Sequence, residues 1–169
     1  MLKKLEVFFD LTCPFCYKGY GYITDLLKAF PSVEIVWRPI EAHPRTEEPF
    51  HRPCADLLVQ AALFLRAKGC SERSFYERAY SSRFKEHKNI EDIDVIASCA
   101  PTEWAAQLTE ALKARTFEKE QQDANDYAYV QNKIWAVPSY VCGMKRLDAE
   151  GGFGVSKSQI RSFLMEISS

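Results

Sequence analysis

The fold of this chain is decided by nine residues near its start, Phe8-Phe9-Asp10-Leu11-Thr12-Cys13-Pro14-Phe15-Cys16. The apolar, β-prone run over residues 5–11 predicts a strand that ends near Thr12. A helix is expected to follow at once, because Cys13 occupies an N-cap position and Pro14 suits the first helical position. Apolar residues then recur at helical spacing, at positions 16, 20, 23, 27 and 30.

A second strand is predicted over residues 33–40, where polar and apolar side chains alternate. A strand, a helix and a strand in so short a length favour a right-handed parallel βαβ unit. Residues 41–50 contain two prolines and show no apolar periodicity, so the chain is expected to leave the sheet through an irregular link. The predicted boundary of the first structural segment lies in this link, at residue 45.

Helices dominate the middle of the predicted fold. They are expected over residues 53–68, 71–82, 89–100, 102–115 and 116–132. A strand over 134–142, a loop at 148–152, a short strand at 153–155 and a last helix capped by Ser156 and running to 167 complete the order. The sequence thus predicts an α/β fold in the order βαβ, helices, αββα. Its segments are 1–45, an inserted all-helical lobe over 46–115, and 116–169.

Composition excludes several classes of protein. The chain has 169 residues, 47% of them hydrophobic, which suits one domain with a sizeable core. A net charge of -1 gives no electrostatic footprint for nucleic acid or an anionic membrane surface. No window approaches the ~20 apolar residues of a spanning helix. Acids interrupt the apolar run of the N-terminus, so we expect neither a signal peptide nor an anchor, and a soluble cytoplasmic protein.

Two of the six cysteines carry a chemical pattern. Cys13 and Cys16 lie three residues apart on the first turn of the predicted helix and can close a small disulfide ring. The unpaired N–H groups of that turn and the helix dipole would lower the pKa of Cys13 from about 8.5 into the range ~3.5–7.5. We therefore expect Cys13 to be the nucleophile and Cys16, on the apolar face, to be buried and to resolve the mixed disulfide.

Other interpretations of this pair stay open. Two packing thiols are one, and half a zinc site is another, because the same spacing occurs in metal sites. His51 and Cys54 would be the candidate second pair of zinc ligands. Cys54, Cys70, Cys99 and Cys142 have no partner at motif spacing and are expected to be reduced core or surface thiols. An auxiliary redox function is the alternative for any of the four, and first for Cys142, which follows Pro138 on a predicted strand.

Four stretches of the chain resemble the DsbA-like thioredoxin-fold oxidoreductases, in particular their FrnE-like branch. Besides residues 8–16 they are Val36-Trp37-Arg38-Pro39-Ile40, Asn89-Ile90-Glu91-Asp92 and Ala136-Val137-Pro138-Ser139-Tyr140-Val141. The resemblance implies a thioredoxin fold with an inserted helical lobe and no bound cofactor. It also implies a cis peptide bond before Pro138, beside the cysteine pair. In similar proteins the backbone at the position of Val137 pairs with an extended stretch of substrate.

The residue pair between the cysteines departs from the strong oxidants of this family. Those relatives carry a histidine where this chain has Phe15, and Phe15 cannot hydrogen-bond a thiolate. We therefore expect a less acidic Cys13 and a glutaredoxin-like potential. Together with a reducing compartment, this favours reduction or isomerisation of protein or peptide disulfides. Glutathione or a thioredoxin-type reductant would be a co-substrate. Pro14 and Phe15 are expected to contact the substrate beside Cys13.

Two further functions are alternatives. The kappa-class glutathione transferases and hydroxychromene-carboxylate isomerases look similar around Trp37-Arg38-Pro39, but they carry serine where this chain has Cys13. A glutathione-dependent transferase or isomerase is thus the first alternative. The second is a non-catalytic redox sensor whose Cys13–Cys16 disulfide changes a binding surface.

The remaining polar and aromatic candidates have weaker patterns. Asp10 and Glu41 follow the two predicted strands and are candidate proton acceptors for Cys16, the alternative being solvated carboxylates paired with Lys18 or Arg38. The three histidines lie in loop-like contexts and are expected at the surface; they are His43, His51 and His87. The three tryptophans are expected to be packing residues, with Trp135 bordering the active-site cleft; the other two are Trp37 and Trp104.

Overall fold

The computed structural model describes residues 2–42, 53–150 and 153–169. Its strands are β1 (Lys3–Phe9), β2 (Val33–Pro39), β3 (Ser139–Cys142) and β4 (Lys145–Asp148). Its helices are α1 (Pro14–Leu26), α2 (Asp56–Ala67), α3 (Arg73–Phe84), α4 (Ile93–Ser98), α5 (Thr102–Lys113), α6 (Glu118–Asp126) and α7 (Lys157–Ser168). The sheet order is β2-β1-β3-β4, with β1 parallel to β2 and the other neighbours antiparallel. The predicted α/β class and thioredoxin fold are confirmed.

The turn from β1 into α1 follows from its sequence. Cys13 is the N-cap residue: its backbone is extended, and its sulfur accepts a hydrogen bond from the Cys16 N–H. Pro14 takes the first helical position, where a missing N–H costs nothing. The helix ends at Leu26 rather than at residue 30, and one 3₁₀ turn over Leu27–Ala29 completes the predicted helical stretch.

Strand β1 is one of the two inner strands of the sheet and lies between β2 and β3. Its side chains alternate between two faces, as the pleat requires. Leu5, Val7 and Phe9 join the main core with α1, α2, α3 and α7. Phe8 points to the other face and packs with Ile40, Ala128 and Ile134. Both faces are therefore covered by helical segments.

The helices between β2 and α6 share this main core. An aromatic cluster joins them to the sheet and to α1; its rings belong to Phe9, Tyr17, Tyr20, Trp37, Tyr76, Tyr80 and Phe84. The Phe9 and Tyr76 ring centroids lie 5.0 Å apart, and Tyr17 stacks on Phe84 at 4.9 Å. The predicted segment boundary at residue 45 falls outside the described residues, and the three-segment division stays a prediction.

Several helix bounds differ from the predictions. Helix α2 begins at Asp56, three residues after the predicted start, and α3 is displaced by two residues to Arg73–Phe84. Helix α4 is only six residues long, Ile93–Ser98, and it begins four residues after the predicted start because Asp92, at its N-cap, accepts a hydrogen bond from the Asp94 N–H. The predicted helix over 116–132 is α6 followed by a π-helical turn over Tyr127–Gln131. The Ser156 cap of α7 is confirmed as a capping box with Gln159.

The second half of the sheet is where the predictions were wrong. The strand expected over 134–142 forms only at Ser139–Cys142, and its partner is Lys145–Asp148 rather than 153–155. Gly143, with φ of 60°, makes the tight turn between the two strands. Near the predicted strand, the described residues form an isolated bridge between Glu150 and Gly154. In the described part of the chain, no helix is both long enough and apolar enough to cross a bilayer.

Candidate active site

The two cysteines of the motif occupy the first turn of α1 and are free thiols in this structure. Cys16 is 1% exposed, as predicted, and Cys13 is also largely covered at 7%. The Cys16 N–H points at the Cys13 sulfur at 3.5 Å, and the Asp10 N–H points at the Cys16 sulfur at 3.4 Å. Each sulfur thus has a backbone donor that suits a thiolate.

The surroundings shift the pKa values of the two thiols in opposite directions. A hydrogen bond from the Cys16 thiol is the largest cause that lowers the pKa of Cys13, from 9.0 to about 7. The N–H groups of Cys16 and Phe15 lower this pKa further, whereas burial and the charge of Asp10 oppose them. Burial, followed by the neighbouring Cys13, raises the pKa of Cys16 well above its usual value. Near neutral pH, Cys13 is therefore partly thiolate while Cys16 is a thiol.

Asp10 organises the loop that carries the motif. Its Oδ1 accepts hydrogen bonds from the N–H and hydroxyl of Thr12, both at 2.7 Å, and its Oδ2 accepts one from the Ala42 N–H at 2.8 Å. Its carbonyl oxygen accepts the Cys13 N–H at 3.2 Å and the Tyr80 hydroxyl at 3.4 Å. The interpretation of Asp10 as a solvated carboxylate is wrong, because the loop closes around it and leaves 1% of it exposed.

Glu41 is also buried rather than solvated. Its Oε1 accepts a hydrogen bond from the Cys54 thiol at 2.6 Å, and its Oε2 accepts one from the Gln121 side chain at 3.0 Å. Its backbone N–H donates to the Asn125 side chain at 3.0 Å. The hydrogen bonds of Glu41 thereby connect the end of β2 to α6 and to the start of the helical lobe. Arg38, the expected partner, instead pairs with Glu6 at 2.6 Å.

The residues of the Val137–Pro138 loop lie against the helix that carries the cysteines. The Val137–Pro138 peptide bond is cis. The Pro138 ring packs on Gly19 of α1, so closely that a Cβ added at Gly19 would lie 3.2 Å from Pro138 Cγ. The same Cβ would lie 2.8 Å from the Tyr140 hydroxyl. Gly19 follows Cys16 by three residues and shares its helix face. The structure thus brings this loop to the face of α1 that carries Cys16.

Three aromatic side chains are accessible around the motif. Phe15 is half-buried and packs against Gly154 of the loop before α7. Phe153 in the same loop is 85% exposed, and a cavity of about 300 Å³ lies between this loop and Phe15. Trp135, two residues before Val137, is 80% exposed. The prediction that Trp135 is a packing residue is wrong, because its ring faces solvent in the loop that leads to β3.

Trp37 and Trp104 are half-buried and contact other rings, as predicted for packing residues.

Burial raises the pKa of the Cys99 thiol, and burial followed by the bond to Glu41 raises that of Cys54 to about 12. Cys70 and Cys142 are half-buried. His87 is exposed, whereas His43 and His51 lie outside the described residues. Within residues 2–42, 53–150 and 153–169, no group of three or more His, Cys, Asp or Glu side chains is placed to hold a metal ion.

Sequence reasoning missed two buried phenols near the thiols, those of Tyr80 and Tyr140. Burial raises the pKa of both, and the nearby Cys16 raises each further. A signal for Tyr140 was available, because it follows Pro138 by two residues in one of the four quoted stretches. Tyr80 carries no such signal: only the docking of α3 onto α1 brings its hydroxyl to Asp10.

A sheet of this order, with a cysteine pair opening the helix after its central strand and a cis-proline packed on that helix, defines the thioredoxin-fold class. The chain belongs to the DSBA-like thioredoxin domain family, whose model matches residues 4–159. Protein YwbO of Bacillus subtilis (strain 168), which is described as uncharacterized, is 25% identical over 194 residues, covering 95% of this chain and 96% of that protein.

Solved structures share the fold at low sequence identity. A probable DsbA oxidoreductase of Streptomyces coelicolor superposes with a TM-score of 0.78 at 15% identity, covering 98% of this chain and 89% of that one. The DsbA of Chlamydia trachomatis superposes with a TM-score of 0.70 at 15% identity, covering 97% of this chain and 85% of that one. The inserted helices are therefore part of the shared architecture.

Proposed function

We propose that this protein is a thiol-disulfide oxidoreductase of protein or peptide disulfides, with Cys13 as nucleophile and Cys16 as resolving cysteine. The observation that carries the proposal is that the pKa values of two thiols within one helical turn are shifted in opposite directions. A nucleophilic thiol needs a lowered pKa, whereas a resolving thiol is best kept protonated until the mixed disulfide has formed. Membership of the DSBA-like family supports the same chemistry.

The reaction consists of two exchanges. The Cys13 thiolate attacks one sulfur of the substrate disulfide, a Cys13–substrate bond forms, and the other substrate sulfur leaves as a thiolate and takes a proton from water. Cys16 then loses its proton and attacks the Cys13 sulfur. The Cys13–Cys16 disulfide forms, and the second substrate thiolate is released. The substrate gains two electrons and the enzyme loses two. A dithiol reductant or two glutathione molecules return them by the reverse exchanges.

We further propose that Asp10, rather than Glu41, accepts the proton of Cys16. Asp10 is buried beside the pair, its N–H reaches the Cys16 sulfur, and its charge raises the pKa of both Cys13 and Cys16. The Glu41 carboxylate instead binds Cys54 and Gln121, and Glu41 is not among the groups that shift the pKa of Cys16, which supports a structural function for it.

Substrate would lie along the loop of residues 135–138. In the proposed complex the backbone of Val137 pairs with an extended substrate strand, while Pro14 and Phe15 contact it beside Cys13. The exposed rings of Trp135 and Phe153 support this binding mode, because large apolar side chains at a surface are typical of sites that take apolar segments of a partner.

We propose that the protein works as a reductase or isomerase in a reducing compartment, the cytoplasm, without a bound cofactor. A Cys13 pKa of about 7 supports this direction, since a strongly oxidising pair depends on a far more stable thiolate. Glutathione or a thioredoxin-type dithiol would supply the electrons.

Trapping of the mixed disulfide tests the proposed function. A Cys16→Ser variant is expected to form a stable adduct with a peptide that carries one disulfide, visible by mass spectrometry as a mass increase that dithiothreitol removes. Cys13→Ser is the matched control and should form no such adduct. Equal adduct formation in both variants, or none in either, would contradict the assignment of Cys13 as nucleophile.

A further inference from the structure

Tyr140 has a buried hydroxyl group without a hydrogen-bond partner in the described part of the chain. The side chain is fully buried in the main core. A buried hydroxyl that makes no hydrogen bond costs folding free energy, because water has been removed and nothing replaces it. Such a group persists most readily where it finds a partner in another state of the protein.

The hydroxyl lies on the face of α1 that carries Cys16. Only a glycine at position 19 leaves room for it, since a Cβ there would be 2.8 Å from the phenol oxygen. Gly19 and Cys16 are three residues apart, hence neighbours on one helix face. Cys16 also acts on Tyr140 electrostatically, because its sulfur adds to the effect of burial in raising the pKa of the phenol. The phenol is therefore protonated, and so able to donate, throughout the neutral range.

Cys16 changes its hydrogen-bonding character during the proposed reaction. As a thiol it is a weak acceptor, whereas as a thiolate it is a strong one that benefits from several donors. The Asp10 N–H, at 3.4 Å, is the donor that the resting structure supplies to this sulfur. A second donor nearby would stabilise the thiolate at the moment of attack and would leave the resting thiol unaffected.

We propose that the Tyr140 hydroxyl donates a hydrogen bond to the Cys16 thiolate during resolution of the mixed disulfide. The inference rests on the proposed function and adds a residue to it. The Cys16 proton passes to Asp10, and Tyr140 keeps its own proton. The Cys16–Cys13 bond forms as the Cys13–substrate bond breaks, and the leaving thiolate takes the proton from Asp10. Tyr140 thus lacks a partner in the resting dithiol and gains one in the transient thiolate.

The experiment measures the resolving step by itself. Reduced protein is mixed with excess 5,5′-dithiobis(2-nitrobenzoate) in a stopped-flow spectrometer from pH 6 to pH 9. Attack by Cys13 releases one coloured thiolate and forms the mixed disulfide, and attack by Cys16 on that disulfide releases a second, whose rate is the one compared. Cys70 and Cys142, the half-buried cysteines, are replaced by serine in every protein compared. The variants are Tyr140→Phe and, as matched control, Tyr76→Phe. Tyr76, on α3, is another fully buried phenol, whose hydroxyl makes no hydrogen bond of normal geometry but lies close to Arg66.

Tyr140→Phe is expected to slow release at pH 7 by roughly tenfold or more and to move the rate profile to higher pH. Tyr76→Phe should leave both unchanged. Both variants should melt no lower than the parent protein, because each loses a buried hydroxyl that makes no hydrogen bond of normal geometry. A purely structural effect would change the melting temperature without displacing the pH profile.

The possible results separate this inference from the proposed function. Equal rates for Tyr140→Phe and the parent protein overturn the inference alone, as does equal slowing in Tyr76→Phe. Absence of the second release from the parent protein overturns the resolving function of Cys16 and the inference with it. Slower release with a displaced pH profile in Tyr140→Phe, but not in Tyr76→Phe, supports both the inference and the proposed function.

Discussion

Cys13 and Cys16 acquire different chemistry from neighbours only a few residues away. The Cys16 thiol and the N–H groups of the first turn stabilise a thiolate at Cys13, whereas burial disfavours one at Cys16. The sequence predicted the lowered pKa of Cys13 from its position at the helix N-terminus alone. It did not show that the largest contribution at Cys13 comes from the neighbouring thiol, because side-chain geometry is invisible in a spacing.

The pH dependence of alkylation follows from these shifts. Only the thiolate of Cys13 reacts with iodoacetamide, and its pKa of about 7 means that the thiol dominates below pH 7 and the thiolate above it. The alkylation rate of reduced protein should therefore rise through pH 7 and level off above pH 8, as measured by mass spectrometry of the Cys13 peptide. Cys16→Ala, which removes the largest stabilising contact, should move the midpoint upward. An unchanged midpoint in that variant would contradict the stated cause.

Asp10 gives a second prediction at the residue scale. Asp10→Asn removes a charge that raises the pKa of Cys13, so the alkylation midpoint should move downward. If Asp10 also accepts the Cys16 proton, resolution of the mixed disulfide should slow by about 10²-fold. Asp25→Asn is the control, because Asp25 lies on α1, the helix of the two cysteines, but pairs with Lys157 at the surface. A lower midpoint with an unchanged resolution rate would refute Asp10 as proton acceptor.

Whether the side chains of Asp10 and Glu41 are buried could not be predicted from their positions in the sequence. Asp10 and Glu41 each follow a strand, and the sequence does not show whether a carboxylate at such a position is solvated or enclosed. Thr12 and Ala42 enclose the first, and Cys54 and Gln121 the second. Three of these four partners come from other parts of the chain than the acid they bind, so only the assembled fold decides between the two interpretations.

At the scale of elements, α1 is shaped by the loop that packs on it. Its two glycines look alike in the sequence, yet Gly19 faces Pro138 and Tyr140 while Gly21 faces open space. This difference depends on where the 135–138 loop docks. Strand β4 was missed for a similar reason: its residues are mostly polar, and its pairing with β3 depends on the turn at Gly143 rather than on a hydrophobic pattern.

The two glycines provide a matched pair of substitutions. Gly21→Ala should stabilise the protein by up to ~1 kcal/mol, because alanine favours a helix and meets no neighbour. Gly19→Ala should instead destabilise it by about 1–3 kcal/mol, since the added Cβ meets the Pro138 ring and the Tyr140 hydroxyl. Urea unfolding of the reduced proteins measures both changes. Adding Tyr140→Phe to Gly19→Ala should recover part of the loss, and stabilisation by both alanines would show that the loop is not packed as described.

At the scale of the whole molecule, the helical lobe and the sheet share one core. The order of strands and helices in the sequence predicted an inserted lobe, but not how closely it packs. The aromatic cluster is formed by residues from β1, α1, β2 and α3, and Tyr80 reaches from the lobe to the active-site loop. Contacts between residues so distant in sequence cannot be found from periodicity.

A shared core predicts that the molecule unfolds as one unit. Trp104 on α5 reports on the lobe and Trp37 on β2 reports on the sheet. In urea, Trp37→Phe and Trp104→Phe proteins, each followed by the fluorescence of its remaining tryptophans, should show transitions that coincide with that of far-UV circular dichroism in the same variant. Two separated transitions within one variant would mean that the lobe is an independent unit.

The reduction potential of the Cys13–Cys16 pair tests the central claim most directly. The protein is equilibrated in graded glutathione buffers, and alkylation of each cysteine is read by mass spectrometry. The account predicts one reversible two-electron couple confined to Cys13 and Cys16, near or below about -200 mV. A couple near about -120 mV would contradict the reductive direction. The absence of any couple between these two residues would contradict the proposed function itself.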